Sequence, residues 1–150
     1  MKFKLICVGK IKHYSPYSNI IEKYQKRLSN NIEIIEIKTE KTSKNKKIEY
    51  EAKKIRGYLK GSDNVILMDT LGKKISDKEL SNFILEKINE GFNEIIFVIG
   101  GAFGLHKEIL KEYNSFSFGE LIWSHQLFRV MLVEQIYRSF CNINGHPYEK

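Results

Sequence analysis

The segment from Ile95 to Leu105 constrains the fold of this chain more than any other. It begins with five consecutive apolar residues, Ile95-Ile96-Phe97-Val98-Ile99, which are rich in β-branched side chains and predict a buried strand. Gly100 and Gly101 end this run, Gly104 follows, and a helical pattern begins after it. Because glycine has no β-carbon, a ligand can approach such a loop closely. We therefore expect either a ligand-binding loop or a tight turn that binds nothing.

Strand-like and helix-like patterns alternate along the whole chain. Ser76 and Glu79 have the spacing of a capping box at the start of one helix, and Asp69 to Lys73 is expected to turn away from the strand before it. This order predicts an α/β fold, a mainly parallel sheet flanked by helices, in a single domain over residues 1–150. Ligands bind such sheets at the carboxyl ends of the strands. The expected strands are 2–8, 32–37, 65–68 and 95–99, with a strand-like piece at 115–123, and the expected helices are 16–28, 46–59, 76–91, 106–113 and 124–140.

The charge of the chain favours a polyanionic partner. Lys and Arg number 25 against 18 Asp and Glu, which gives a formal net charge of +7. The stretch from Lys38 to Lys47 has no apolar side chain and is expected to be a solvated, mobile loop or, less commonly, an arm that contacts RNA. A general bias of the host toward lysine is the alternative explanation of the charge.

Hydropathy and cysteine usage indicate a cytoplasmic protein. No apolar run reaches the roughly 18 residues of a membrane span, so no membrane partner is expected. Cys7 and Cys141 have no Cys or His close by in sequence, which argues against a disulfide framework and against a metal site.

Several ligand-binding motifs are absent from the glycine loop. A dinucleotide fingerprint needs glycines at offsets of two and five, whereas Gly100, Gly101 and Gly104 stand at offsets of one and four. A phosphate-binding P-loop needs Lys and Ser or Thr where Leu105 and His106 stand. There is no Gly-x-Ser-x-Gly elbow, and the four histidines lack metal-ligand spacing. An apolar pocket with exposed backbone groups, by contrast, suits an adenosine-bearing ligand.

Four ordered motifs in the last third of the chain give a more specific indication. They are Val98-Ile99-Gly100-Gly101-Ala102-Phe103-Gly104-Leu105, Ser124-His125-Gln126-Leu127-Phe128-Arg129-Val130, Glu134-Gln135-Ile136-Tyr137-Arg138 and Gly145-His146-Pro147-Tyr148. These motifs resemble those of the RlmH family, methyltransferases of the SPOUT superfamily that use S-adenosylmethionine to methylate N3 of a pseudouridine in 23S ribosomal RNA. The likeness spans the chain, including its Met-Lys-x-x-Leu-x-x-Val-Gly-Lys beginning.

The resemblance implies a fold, an assembly and a set of site residues. The expected fold has a C-terminal trefoil knot, and the expected assembly is a homodimer that acts on 23S rRNA within the ribosome. Arg138 and Tyr148 would be catalytic, and His146 and Arg129 would bind the substrate. Glu149 stands where the family commonly has a histidine, so no role is carried over to it. The cofactor residues would be Met68, Gly100, Phe118, Gly119, Glu120, Leu121, Ile122 and Trp123.

Three alternatives remain open at this point. Arg138 could make a structural ion pair with Glu134 one turn earlier instead of serving catalysis. The helix at 124–140, which is apolar on nearly every side, could be buried between subunits or within one chain. The protein could also be a non-catalytic basic RNA-binding module with a vestigial cofactor pocket. A nicotinamide-dependent oxidoreductase is disfavoured by the glycine spacing.

Overall fold

A computed structural model describes residues 1–148 of the chain, as a five-stranded parallel sheet with helices on both faces. The strand order is β2-β1-β4-β3-β5, and every pairing is parallel. This confirms the predicted α/β class, whereas the trefoil knot stays a prediction. The elements are β1 (Lys2–Val8), α1 (Pro16–Arg27), β2 (Ile32–Ile37), α2 (Lys44–Leu59), β3 (Val65–Lys74), α3 (Asp77–Asn89), β4 (Glu94–Ile99), α4 (Lys107–Glu112), β5 (Asn114–Ser117) and α5 (His125–Ile143).

Apolar side chains alternate between the two faces of the central strands and form two core clusters. Leu5 and Phe97 point to one face, where residues of α3 and α5 cover them, and Ile6 and Val98 point to the other, where α2 and α4 cover them. All four side chains are fully buried. Burial of both faces explains why β1 and β4 have nearly continuous apolar sequences.

Two helix starts follow the chemistry that their sequences predict. The Ser76 hydroxyl accepts a hydrogen bond from the Glu79 N–H (3.2 Å), and the Glu79 carboxylate accepts one from the Ser76 N–H (2.8 Å), which completes the capping box. Ser15 caps α1, with Pro16 in its first turn. No helix within residues 1–148 has the length and apolarity that crossing a membrane requires.

The structure corrects several predicted boundaries, and the largest correction concerns β3. Asp69 to Lys73 does not turn away, because β3 continues to Lys74 and pairs with β5 on both sides of a register shift between Met68 and Lys73. Gly72 fits there because a β-carbon would lie 2.8 Å from the Ser115 backbone. There are three smaller corrections. The predicted strand-like piece 115–123 is a strand only up to Ser117, because β5 is Asn114–Ser117; α2 already begins at Lys44 within the lysine-rich stretch; and α5 extends to Ile143.

Candidate functional site

A cleft lies at the edge of the sheet where β1 and β4 end and where β3 separates from β4. Cys7 of β1 and Met68 of β3 are both in register with Ile99 of β4, and the pairing of β3 with β4 stops at Met68. The cleft beside them has a volume of about 500 Å³, within the usual range for small-molecule sites. Its walls come from the middle of β3, the end of β4, the glycine loop 100–104, the segment 118–124 after β5 and the first turn of α5.

The glycine loop is closed on itself and has no room for larger side chains. The Gly104 N–H donates to the Gly101 carbonyl (3.0 Å), and these two residues form an isolated antiparallel bridge. A β-carbon on Gly100 would lie 3.0 Å from Leu105 Cγ, and one on Gly101 would lie 2.7 Å from an oxygen of Glu51. The loop therefore presents main chain to the cleft, as the ligand-binding interpretation of the sequence predicts.

The segment 118–124 forms a largely apolar wall that is exposed to solvent. Ile122 is 91% exposed and Leu121 is also largely exposed, although both line the cleft. Phe118 is held from behind by Phe128 of α5, with ring centroids 5.4 Å apart. Gly119 has a φ of +118°, which favours glycine. The Ser117 hydroxyl accepts a hydrogen bond from the Gly119 N–H (3.2 Å), and this contact fixes the turn that leads into the segment. An apolar ligand or a second protein surface would remove this wall from water.

The cleft gathers most of the residues predicted to bind the cofactor. Glu120 does not line it, because its carboxylate projects outward and pairs with Lys74 (2.5 Å). The sequence prediction also missed residues that do line the cleft, notably Asp69, Thr70, Ser124 and His125. Their signal was position, since Asp69 and Thr70 directly follow the predicted strand 65–68, and Ser124 and His125 stand at the start of α5. The predicted residues that line the cleft are Met68, Gly100, Phe118, Gly119, Leu121, Ile122 and Trp123.

His125 closes the cleft on the side of β1 as a neutral side chain. Its Nδ1 lies 3.1 Å from the Val8 carbonyl oxygen, which can only accept, so Nδ1 carries the proton. Burial lowers the pKa of His125 and outweighs the opposing effect of this hydrogen bond. The imidazole therefore adds no positive charge at neutral pH. Within residues 1–148 no three His, Cys, Asp or Glu side chains are grouped to hold a metal ion.

Arg129 lies inside the protein next to the cleft. Its side chain is only 2% exposed; one guanidinium nitrogen pairs with Glu36 (2.5 Å) and the other donates to the Gly9 carbonyl (3.0 Å). Glu36 also accepts a hydrogen bond from the Ile11 N–H (2.9 Å). These contacts tie the loop after β1 to β2 and α5. In this chain Arg129 holds that loop, and the substrate contact predicted for it would require the ion pair to open.

The C-terminal candidates lie together, but away from the cleft. Arg138 donates to the Glu134 carboxylate (3.0 Å), its guanidinium carbon lies 4.1 Å from the centroid of the Tyr148 ring, and the Tyr148 hydroxyl donates to the same carboxylate (2.6 Å). Burial and the hydrogen bond to Glu134 raise the pKa of Tyr148, so it stays protonated. His146 is exposed. None of the three lines the cleft, and Arg138 lies ten residues, about 15 Å along α5, beyond Phe128 at its rim.

The ion pair offered above as the structural alternative for Arg138 is therefore present. It accounts for the position of the guanidinium without excluding a catalytic role, because Arg138 remains partly exposed. Glu149 lies outside the described residues.

Comparison with known proteins agrees with this architecture. A family model described as "Predicted SPOUT methyltransferase" matches residues 1–149. The chain is 44% identical to ribosomal RNA large subunit methyltransferase H of Streptococcus uberis, over the full length of both chains. It is 42% identical to the protein of that name from Caldicellulosiruptor saccharolyticus, with 98% of this chain and 99% of the other covered, and 41% identical to that of Clostridium botulinum over the full length of both. Sequence, fold and cleft thus agree, and the chain belongs to the RlmH family of SPOUT methyltransferases.

Proposed function

We propose that this protein transfers a methyl group from S-adenosylmethionine to N3 of a pseudouridine in 23S ribosomal RNA, acting in the cytoplasm as a homodimer on the large ribosomal subunit. The observation that carries the proposal is the cleft, which collects nearly all predicted cofactor residues at the strand ends. The printed names of the relatives, which are ribosomal RNA methyltransferases, support the substrate class.

The cleft suits this methyl donor in shape and in charge. Apolar side chains such as Ile122 and Trp123 offer a surface for the adenine ring, and the bare main chain of Gly100 and Gly101 offers backbone groups that can distinguish its edge. The ionisable side chains that line the cleft are Asp69 and His125. A carboxylate beside a neutral imidazole gives a surface that favours a sulfonium cation.

The chemistry asks little of the protein beyond position and charge. The bound donor supplies a methyl group on a positively charged sulfur. The N3 proton would be lost to solvent first, which would leave negative charge on N3 and its flanking carbonyls. Arg138 would stabilise this charge while Tyr148 and His146 hold the nucleotide. The nitrogen would then form its bond to the methyl group as the S–CH₃ bond breaks, and the neutral thioether would leave. Correct placement of donor and acceptor can contribute about 7–11 kcal/mol of the barrier reduction.

A second subunit would bring these residues to the cleft. In one chain neither Arg138 nor Tyr148 lines the cleft, and Arg138 lies about 15 Å along α5 from Phe128 at its rim. A second apolar groove of about 420 Å³ runs along α5 between Ile20, Ile75, Val130 and Met131. Packing of this groove against a second copy would explain why α5 has apolar residues beyond those that the core buries.

Calorimetry and mass mapping test the proposal together. Titration with S-adenosylmethionine should give saturable heat, and ribosomes from cells that lack the protein should gain one methyl group on a 23S rRNA pseudouridine when both are added. The non-catalytic RNA-binding module predicts RNA affinity with no heat from the donor. Donor binding without any methylated nucleotide would contradict the assigned substrate.

A further inference from the structure

A basic and aromatic surface adjoins the cleft and takes no part in the proposed chemistry. Phe103 lies within the glycine loop, yet it points away from the cleft and is 47% exposed. The ammonium groups of Lys44 and Lys47, from the first turn of α2, each lie 5.5 Å from the centroid of its ring. An exposed aromatic ring beside positive charge is a combination with which proteins bind single-stranded nucleic acid.

No carboxylate among the described residues pairs directly with these lysines. Neither Lys44 nor Lys47 makes a salt bridge within residues 1–148, and the first turn of α2 contains no acidic residue. Cations at the start of a helix are disfavoured by its macrodipole, and Lys46 adds a third positive charge there. A bound polyanion would relieve this repulsion, whereas a neutral or basic partner would not.

The adjacent loop extends the same surface. It follows β1, which pairs with β4, and Gly101 packs so tightly that a β-carbon there would lie 3.0 Å from Val8. Lys10 and Lys12 are exposed in this loop, and Tyr14, with a φ of +60°, is 94% exposed. The Arg129 and Glu36 contacts described above fix the base of this loop. The exposed lysines and aromatic side chains of this loop and of the Phe103 region thus lie at the same edge of the sheet as the cleft.

We propose that Phe103, Lys44 and Lys47 form a contact for single-stranded RNA, in which a base beside the target nucleotide stacks on the Phe103 ring and the two lysines neutralise its phosphates. This inference rests on the proposed function and adds to it a site outside the catalytic residues. Stacking on an aromatic ring tolerates any base, so the contact contributes affinity and strand position rather than sequence selection.

The test compares variants in three measurements. Phe103→Ala and the double variant Lys44→Ala/Lys47→Ala are titrated with S-adenosylmethionine, with a labelled single-stranded polyuridine RNA over a range of salt concentrations, and with unmethylated ribosomes in a methylation assay. Phe92→Ala, beside Lys87 at the opposite end of β4, is the aromatic control. Lys53→Ala/Lys54→Ala, further along α2, removes the same charge from exposed positions.

The proposal expects about tenfold weaker binding of polyuridine by Phe103→Ala. For the double variant, the slope of log affinity against log salt should fall by roughly 0.7 for each lysine removed. In the methylation assay KM for ribosomes should rise while kcat and donor affinity stay unchanged, and the controls should match the wild type. If the double variant weakens donor binding and the single variants do not, the RNA measurements on Lys44→Ala and Phe103→Ala decide the outcome.

Three results would overturn this contact. The first is that Phe103→Ala and Lys44→Ala keep the RNA affinity and the salt slope of the wild type. The second is that the wild type does not bind polyuridine. The third is that the variants bind ribosomes more weakly but bind free RNA as the wild type does, which would indicate a ribosomal protein as the partner. Failure of the wild type to bind S-adenosylmethionine would instead overturn the proposed function.

Discussion

At the scale of single residues, the contact between Gly101 and Glu51 determines the shape of the glycine loop. Glu51 is 3% exposed, and one of its carboxylate oxygens is buried without a hydrogen-bond partner among the described residues. A β-carbon at position 101 would lie 2.7 Å from the other oxygen. The sequence predicts the need for glycine here, but not its cause, because Glu51 is 50 residues away and has no distinctive local pattern.

Replacement of Gly101 by Ala should weaken donor binding at least tenfold, an order-of-magnitude expectation from the displacement of the loop by the new methyl group. Gly57→Ala is a matched control, since it lies within α2 with no atom within 4 Å of a new β-carbon. That variant should keep donor affinity and gain about 0.5–1 kcal/mol of stability. Calorimetric titration and urea unfolding measure both effects, and equal donor affinity in Gly101→Ala and wild type would contradict the steric argument.

Glu51 should also make stability depend on pH. Burial raises the pKa of Glu51 above its ordinary value of 4.5, with a smaller opposing effect of Lys47. A carboxyl group whose pKa is raised by folding stabilises the folded state below its unfolded pKa, and this contribution is lost as the pH rises through the folded pKa. Urea unfolding from about pH 4 to about pH 7 should therefore show the wild type losing stability relative to Glu51→Gln. Glu49→Gln changes an exposed residue of the same helix and keeps Glu51, so it should lose stability with rising pH as the wild type does.

At the scale of elements, apolar patterns predicted each strand and helix that the structure describes. The errors in their boundaries arose where pairing with a distant strand, and not the local pattern, determines the structure. β1, β2 and β4 have continuous or alternating apolar residues, and their predicted bounds nearly coincide with the observed ones. The second half of β3 is polar and exposed, and it is a strand only because β5 pairs with it. That pairing cannot be deduced from local sequence, and neither can the burial of Arg129, a residue type that is usually exposed.

The link between α5 and the loop after β1 should depend strongly on Arg129. Arg129→Met keeps much of the side-chain volume but leaves Glu36 and the Gly9 carbonyl without their partner, so we expect a loss of about 3 kcal/mol in the free energy of unfolding. Arg129→Lys should restore little of it, because one ammonium cannot reach both acceptors in the planar geometry of a guanidinium. Urea unfolding measures both variants. A loss below about 1 kcal/mol would show that solvent already screens the pair.

At the scale of the whole molecule, the cleft was predictable and the relation of the C-terminal residues to it was not. The strand and glycine patterns locate the cleft, because parallel strands must end at a common edge. Arg138, Tyr148 and His146 were assigned to the substrate by family resemblance alone. Within one chain Arg138 and Tyr148 contact Glu134 instead, and His146 is exposed. The proposed composite site between two subunits would reconcile the family resemblance with these contacts.

Mixing two inactive variants tests that composite site. Gly101→Ala impairs the cleft, and Arg138→Ala should impair catalysis while leaving the dimer and donor binding intact. If subunits exchange at random, half of the dimers are heterodimers. In each heterodimer one of the two sites combines an unmodified cleft with an unmodified C-terminal segment, so about a quarter of wild-type methylation should return. Arg27→Ala, which removes an arginine near Tyr137 in the same region, controls for loss of charge. Activity that does not rise on mixing would place each complete site within one chain.

The hydrogen bond from Tyr148 to Glu134 has a consequence for the encounter with RNA. The Glu134 carboxylate accepts a hydrogen bond from Tyr148, and the guanidinium of Arg138 stacks on the Tyr148 ring. Arg138 and Tyr148 are therefore already held in place before any nucleotide binds. Their rotamer freedom is surrendered when the protein folds, and little further entropy is lost at association. Glu134→Ala removes this hydrogen bond. The variant should therefore lower kcat/KM for ribosomes more than it lowers kcat.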